Sequence, residues 1–253
     1  MNFYIKKERL IAIIDYVWYH IDMKIFCISD LHLSLGVMDK PMDVFGDNWT
    51  GHWDKIKAYW QANITDDDIV LIAGDTSWGM NIPEALPDLA AIDELTGKKY
   101  IIRGNHDYWW SSYAKIKSLG LKSLVFIQNN AFREDGVVIC GTRGWTVPEE
   151  NSSDEDKKIY DREVIRLKLT LESAAKMRQE GDRLIVMMHY PPFNAKIDDS
   201  EFTSLIKEYG ADEVVYGHLH GKNARLAPII DKNGIKYYLT SCDFLGFTPL
   251  LLD

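Results

Sequence analysis

Five short stretches carry side chains able to hold a metal ion or move a proton: "SDLH" with Asp30 and His32, "AGD" with Asp75, "GNHD" with Asn105, His106 and Asp107, "MHYPP" with His189, and "GHLH" with His218 and His220. The donors are imidazole, carboxylate and carboxamide without a thiolate, a mixture that suits Mn, Fe or Zn better than Ca. His218 and His220 stand two residues apart, a spacing that turns both rings to one side of an extended segment. Taken singly, each stretch has a plain structural explanation, because Gly, Asn and Asp make turns and cap helices. Taken together they are hard to dismiss, since of seven histidines only His20 and His52 fall outside them, and those two receive no role.

Each stretch directly follows an apolar, β-rich run, and those runs are the elements that must position it. The strand candidates are "KIFCIS" (24–29), "DIVLIAG" (68–74), "KKYIIRG" (98–104), "GVVICG" (136–141), "RLIVMMH" (183–189), "DEVVYG" (212–217) and "KYYLTS" (236–241). Helix candidates lie between them, with stripes such as Trp53, Ile56 and Trp60, or Tyr160, Val164, Leu167, Leu171 and Ala174. This alternation indicates an α/β chain with a largely buried sheet. Ligands gather at the carboxyl ends of strands in such sheets, so all five stretches can converge on one site. The charged segment 155–180 holds only about three heptads, too few for a coiled-coil arm, and is expected to be a surface helix packed on the sheet. "VPEENSSDEDKK" (147–158) reads as a solvated connection.

Bulk composition limits the partners. At 253 residues and 46% hydrophobic, the chain can bury the core of one large domain. Its net charge of −9 argues against a broad surface for nucleic acid or anionic lipid, both of which are held by clustered Lys and Arg. Cys27, Cys140 and Cys242 are far apart and lack a paired metal spacing, which indicates a reducing, cytoplasmic setting. The opening "KKERLIAIIDYVWYHI" begins like a signal peptide, but Asp15 interrupts it and no small-residue cleavage site follows. It is also too short and mixed to span a bilayer. Met23 starts "MKIFCISDLH", an ordinary first strand, so residues 1–22 are expected to be an appended segment and 23–253 the domain proper. N-terminal sequencing of the native protein tests this, and a start at residue 1 or 2 would refute it.

In order, Asp-x-His, Gly-Asp, Gly-Asn-His-Asp, a strand-end His and Gly-His-x-His resemble the calcineurin-like metallophosphoesterase superfamily, over about residues 23 to 220. The resemblance implies an αββα sandwich of two mixed β-sheets flanked by helices. It implies two divalent ions, one held by Asp30, His32 and His220, the other by Asn105, His189 and His218, with Asp75 bridging. His106 would be catalytic, hydrogen-bonding phosphate or protonating the leaving oxygen, with Asp107 its orienting partner. The implied reaction is hydrolysis of a phosphodiester or phosphomonoester, with a metal-bridging hydroxide attacking phosphorus in line. Two such ions against the carboxylates of Asp30 and Asp75 leave about +2, a local attraction for phosphate within an acidic chain. The substrate expected is a small phosphoester, nucleotide-like compounds included. Trp109, Arg143 and Tyr190 are candidate substrate contacts, since an arginine can pair with phosphate and rings can stack on a base. For at least two of Tyr108, Trp109, Trp110 and Trp145, packing over the core is the expected role instead. A nuclease would need a basic surface that this composition lacks. A non-catalytic interaction module on the same fold would be expected of a chain that had lost ligands, and none is lost here.

Overall fold

Strand β1 (Ile25–Ile28) is buried along its whole length, so its alternating side chains must enter two different cores. Ile25 and Cys27 join one cluster, Phe26 and Ile28 another. The same alternation runs through β2 (Ile69–Ile72) and through β6 (Val137–Thr142) and β7 (Arg183–Met188), and it explains a four-layer molecule. The computed structural model describes residues 23–37, 39–221 and 226–252. The expected appended segment, 1–22, lies outside the described residues.

The remaining strands are β3 (Lys98–Ile101), β4 (Leu124–Phe126), β5 (Ala131–Glu134), β8 (Glu213–Tyr216), β9 (Ile229–Lys232), β10 (Ile235–Leu239) and β11 (Leu250–Leu252). One sheet runs β11-β1-β2-β3-β4, with β11 antiparallel and the rest parallel. The other runs β5-β6-β7-β8-β10-β9, with antiparallel edges at β5 and β9. Between the sheets lie Leu71, Tyr100, Ile139, Met187 and Val215, among others. Helices α1 (His52–Asn63) and α2 (Ile82–Asp93) cover the first sheet through Trp53, Ile56, Trp60, Leu89 and Ile92. A short α3 (Tyr113–Lys117) adds Ile116 to that layer. Helices α4 (Asp154–Met177) and α5 (Glu201–Glu208) cover the second sheet through Tyr160, Leu167, Leu171, Ala174, Phe202 and Ile206. The architecture is the expected αββα sandwich of two mixed sheets.

Local differences from the sequence reading have physical causes. The stretch 147–158 is a connection only as far as Ser153, whose hydroxyl caps α4 by accepting from the Asp156 amide at 3.1 Å. Asp154, Glu155 and Asp156 then occupy the first turn, where negative charge suits the helix dipole. The edge strands β5 and β9 pair through Asp135-Gly136 and Asn233-Gly234 turns, all four residues at positive φ, as tight hairpins require. At the site end, Ser29 bridges to Ser241, and its amide bonds the Thr240 carbonyl at 2.8 Å. That contact ties the first sheet to the second where β1 and β10 finish.

Candidate metal centre

Every strand-end stretch named above reaches one region, and close backbone approach makes this feasible. The Asp30 amide bonds the Gly74 carbonyl at 2.9 Å, and the His32 amide bonds the Asp75 carbonyl at 3.0 Å, lacing the ends of β1 and β2 together. A side chain on Gly104 would place its Cβ 2.1 Å from Asp75 Oδ1, and one on Gly217 would lie 2.4 Å from Asp30 Oδ2. Glycine before the ligand residues is therefore a steric requirement as well as a turn signal. Asp30, His32, Asp75 and His218 all adopt left-handed backbone, with φ of 58°, 46°, 52° and 71°. Each costs on the order of 1 kcal/mol and persists only because the surrounding loops impose it.

The side chains form two overlapping groups. Asp30, His32 and His220 bring ligand atoms within 4.8 Å of one another, as do Asp30, Asp75 and His189. Asp30 Oδ1 lies 3.1 Å from His220 Nε2 and 4.0 Å from His32 Nε2. Its other oxygen accepts from the hydroxyls of Ser29 (2.5 Å) and Ser241 (3.0 Å) and from the His218 amide (3.0 Å), which leaves Oδ1 towards the imidazoles. Asp75 Oδ2 lies 3.6 Å from His32 Nε2 and 3.5 Å from His189 Nε2, between the two groups. Asn105 Oδ1 completes the second group at 2.7 Å from His189 Nε2 and 2.9 Å from His218 Nδ1.

These donors fit divalent cations. Burial lowers the His189 pKa to about 4, so the ring is neutral near pH 7 and carries a single N–H. His189 Nδ1 spends that proton on the Ala73 carbonyl at 2.9 Å. Its Nε2 lone pair then faces the Asn105 carbonyl oxygen, acceptor against acceptor, an arrangement that a shared cation resolves. Charge tells the same story. Burial raises the Asp75 pKa, and the negative charges of Asp30 and Asp107 raise it further. Burial opposes the charged form of His220, but its bonds to Asp243 and Asp30 prevail and lift its pKa to about 10. Asp30 stays ionised because the bond and charge of His220 outweigh its burial. Without metal, protons on Asp75 and His220 neutralise what bound cations would neutralise instead.

The residues flanking the ligands divide into those that line the cavity and those that hold it. His106 lines it, with its amide donating to Asp75 Oδ1 at 2.7 Å and its ring 4.8 Å from Trp78. Asp107 makes no bond to that ring, whose buried Nδ1 has no partner. It is instead buried and accepts from the amides of Gly104 (2.7 Å), Asp75 (2.9 Å) and Thr76 (2.9 Å) and from the Trp109 indole (3.0 Å). The expected orienting partner of His106 is thus a clasp for the loops after β2 and β3. Trp109, expected to contact substrate, is 2% exposed in the core of the first sheet, because its N–H is drawn inward to Asp107. Arg143 lines a different cavity, with its guanidinium bonded to Glu163 and stacked 4.9 Å from the Trp145 ring. Tyr190 packs on His218 at 4.1 Å and stands in the wall of an adjoining groove of about 750 Å³.

Several contributors went unrecognised in the sequence. Asp243 accepts from His220 Nδ1 at 2.9 Å and from the Gly221 amide at 2.8 Å, fixing the ring's tautomer. It follows β10, so the strand-end rule that singled out the candidate ligands could have found it. Trp78 stacks on His32 at 4.7 Å, and Trp49, Met42 and Phe45 close one side of a cavity of about 380 Å³ over the site. These last three sit in short 3-10 turns with no periodic signal.

The sequence profile described as calcineurin-like phosphoesterase matches residues 23–222. No curated protein sequence matches the chain significantly. Among solved structures, TT1561 of Thermus thermophilus superposes with a TM-score of 0.56 at 12% identity, covering 91% of this chain and 98% of that one. The calcineurin-like phosphoesterase YfkN from Bacillus subtilis gives 0.53 at 14%, covering 87% and 81%. A protein of unknown function, AQ665 from Aquifex aeolicus, gives 0.51 at 12%, covering 91% and 96%. At such identities the superpositions speak for the fold, while the profile takes in all five candidate ligand stretches from Asp30 to His220: the chain belongs to the calcineurin-like phosphoesterase family.

Proposed function

We propose that the chain is a dinuclear-metal-dependent hydrolase of small organic phosphoesters. The observation carrying this reading is the place of Asp75, one oxygen of which lies 3.6 Å from His32 Nε2 and 3.5 Å from His189 Nε2. A carboxylate between two imidazole groups supports a bridging role between two ions. Asp30, His32 and His220 would hold one, and Asn105, His189 and His218 the other. When bound, Mn, Fe or Zn would supply Lewis-acid polarisation of a phosphoryl oxygen and acidify a water for attack on phosphorus.

The chain's own residues do the rest. Burial lowers the His106 pKa, so its imidazole stands neutral near pH 7, suited to donating a hydrogen bond to a phosphoryl or leaving oxygen. Trp78 and Tyr190 hold ligand rings by stacking, and Asp243 holds His220. Trp49, Trp78 and Phe45 give one wall of the cavity an aromatic face, and Val147, Pro191, Phe193, Leu219 and Leu226 line the groove beyond His218. That lining supports an ester with an apolar or aromatic group, a nucleotide-like one included, over an inorganic substrate. Three buried, unpaired thiols fit a reducing, cytoplasmic compartment. Among the described residues no helix is long and apolar enough to cross a membrane.

The test is hydrolysis of bis-p-nitrophenyl phosphate and p-nitrophenyl phosphate by chelator-stripped protein reloaded with Mn, Fe, Zn or Mg in turn. Metal-dependent turnover is expected, lost together with bound metal in Asp75→Asn. In His106→Ala turnover is expected to fall while metal stays. Wild-type turnover by both variants at saturating metal would overturn the assignment.

A further inference from the structure

A second, smaller cavity of about 80 Å³ opens among the ends of β3, β4 and β6 and the face of α4, and it shares no lining residue with the metal-site cavity. Arg103, Arg143 and Arg166 line it together with Glu163. Glu163 is fully buried and already engaged: it accepts from Arg166 at 2.6 Å, from Arg143 at 3.2 Å and from the Thr142 hydroxyl at 2.9 Å. Arg103 has no carboxylate partner among the described residues, and its Nε is buried without an acceptor. The Nε of Arg143 is likewise buried and unbonded. The other nearby carboxylate, Asp107, is spent on backbone and indole N–H groups.

Three guanidiniums therefore share the cavity with one carboxylate, Arg143 and Arg103 partly buried and Arg166 reaching solvent. Arginine does not shed its charge to relieve this, and a buried, unbonded charged donor is among the costlier features a fold can carry. Two Nε–H groups without acceptors, on residues that follow β3 and β6 and line one cavity, are the donor type that binds a tetrahedral anion by paired N–H···O bonds. The volume has room for one such group and little more. Gln128 and Asn129 add polar side chains to the rim.

We propose that this cavity binds a small oxyanion, phosphate or a terminal phosphoryl group, at a site separate from the metal centre. The occupant is either a free anion or the second phosphoryl group of an extended substrate, two sources with the same chemistry.

The deciding experiment uses the full chain stripped of metal with chelator and titrated with inorganic phosphate at constant ionic strength, read by calorimetry and thermal unfolding. Saturable one-to-one binding is expected, with a Tm that climbs with phosphate concentration. Arg103→Gln should weaken that binding at least about tenfold, and Arg103→Lys, which keeps the charge, should retain part of it. In phosphate-free buffer Arg103→Gln should unfold at or above the wild-type temperature, because it removes an unpaired charge. Absence of saturable binding in the wild type, or equal binding in Arg103→Gln, overturns the proposal. This arm needs neither metal nor turnover, so its failure is distinct from failure of the hydrolase reading. With metal restored, a nucleoside 3′,5′-bisphosphate is compared with its 5′-monophosphate. A lower KM for the bisphosphate that disappears in Arg103→Gln identifies a substrate phosphoryl group as occupant, and equal values identify a free anion.

Discussion

Replacing Gly104 by alanine should disable the metal centre without unfolding the protein. The backbone there is not left-handed, so the added methyl causes no torsional strain, and its effect is a collision with one neighbour. The new Cβ would lie 2.1 Å from Asp75 Oδ1 and 2.3 Å from the Asp75 amide, where ordinary contact begins at 3.4 Å. Reaching that contact drives the carboxylate back by about 1.3 Å, breaking its 2.7 Å bond from the His106 amide and withdrawing it from His32 and His189. A misplacement of about 1 Å at a reacting centre costs on the order of 100-fold in rate. The comparison variant is Gly234→Ala, where φ is +78° and nothing lies within 4 Å. It should lose about 1 kcal/mol of stability to backbone strain and keep full activity. Metal per chain after reloading, kcat/KM on bis-p-nitrophenyl phosphate and urea unfolding are measured on both. A Gly104→Ala protein with wild-type metal content and kcat/KM within about threefold of wild type would refute the reasoning.

Other outcomes follow from the same geometry. Asp243→Asn leaves His220 Nδ1 without its carboxylate, and metal affinity should fall about 10- to 100-fold while the unfolding midpoint changes little; an unchanged metal titration would contradict this. Asp107→Asn turns an amide NH₂ towards N–H donors that now meet an oxygen, and should cost about 2–4 kcal/mol; a denaturation midpoint equal to wild type would remove its role as clasp. Asp75 and His220 both have raised pKa values without metal, so each is protonated near neutrality and must lose its proton on loading. Metal affinity should therefore rise with pH through neutrality, about tenfold per unit for each proton released. Calorimetry in buffers of different ionisation enthalpy counts those protons, and a count of zero would sink the argument.

The candidate ligands were legible as a set because their chemistry and their position on strands reinforce one another: an Asp or His at the end of an apolar run carries both signals. The order of the two sheets was not, because strands buried on both faces, such as β1 and β2, have no polar side to show which layer each face meets. The resemblance supplied only that there are two packed sheets flanked by helices. The edge strands escaped because "AFRE" and "IIDK" are short and half polar, although the "DG" and "NG" turns beside them were visible signs. Asp107 and Trp109 were misassigned for a different reason. The donors that claim Asp107 come from separate loops, and nothing along the chain says that a carboxylate beside a catalytic-type histidine will face backbone instead. Arg143 was read as a phosphate contact near the candidate metal site, but the pairing with Glu163 that accompanies its place in a different cavity is a contact across 20 residues and two elements.

The tie between β1 and β10 sets the order in which the centre can come into being. Asp30 is among the earliest functional residues to be synthesised, yet the Ser241 hydroxyl that steadies it lies 211 residues further on, and the partner of His220 is Asp243. β1 also gains an edge neighbour only when Leu250–Leu252 arrives. A nascent chain can fold much of its first sheet and both outer helices while the ligand cage stays unfinished. Such long-range closure slows folding, and it makes assembly of the site a late event, after residues through Leu252 have emerged.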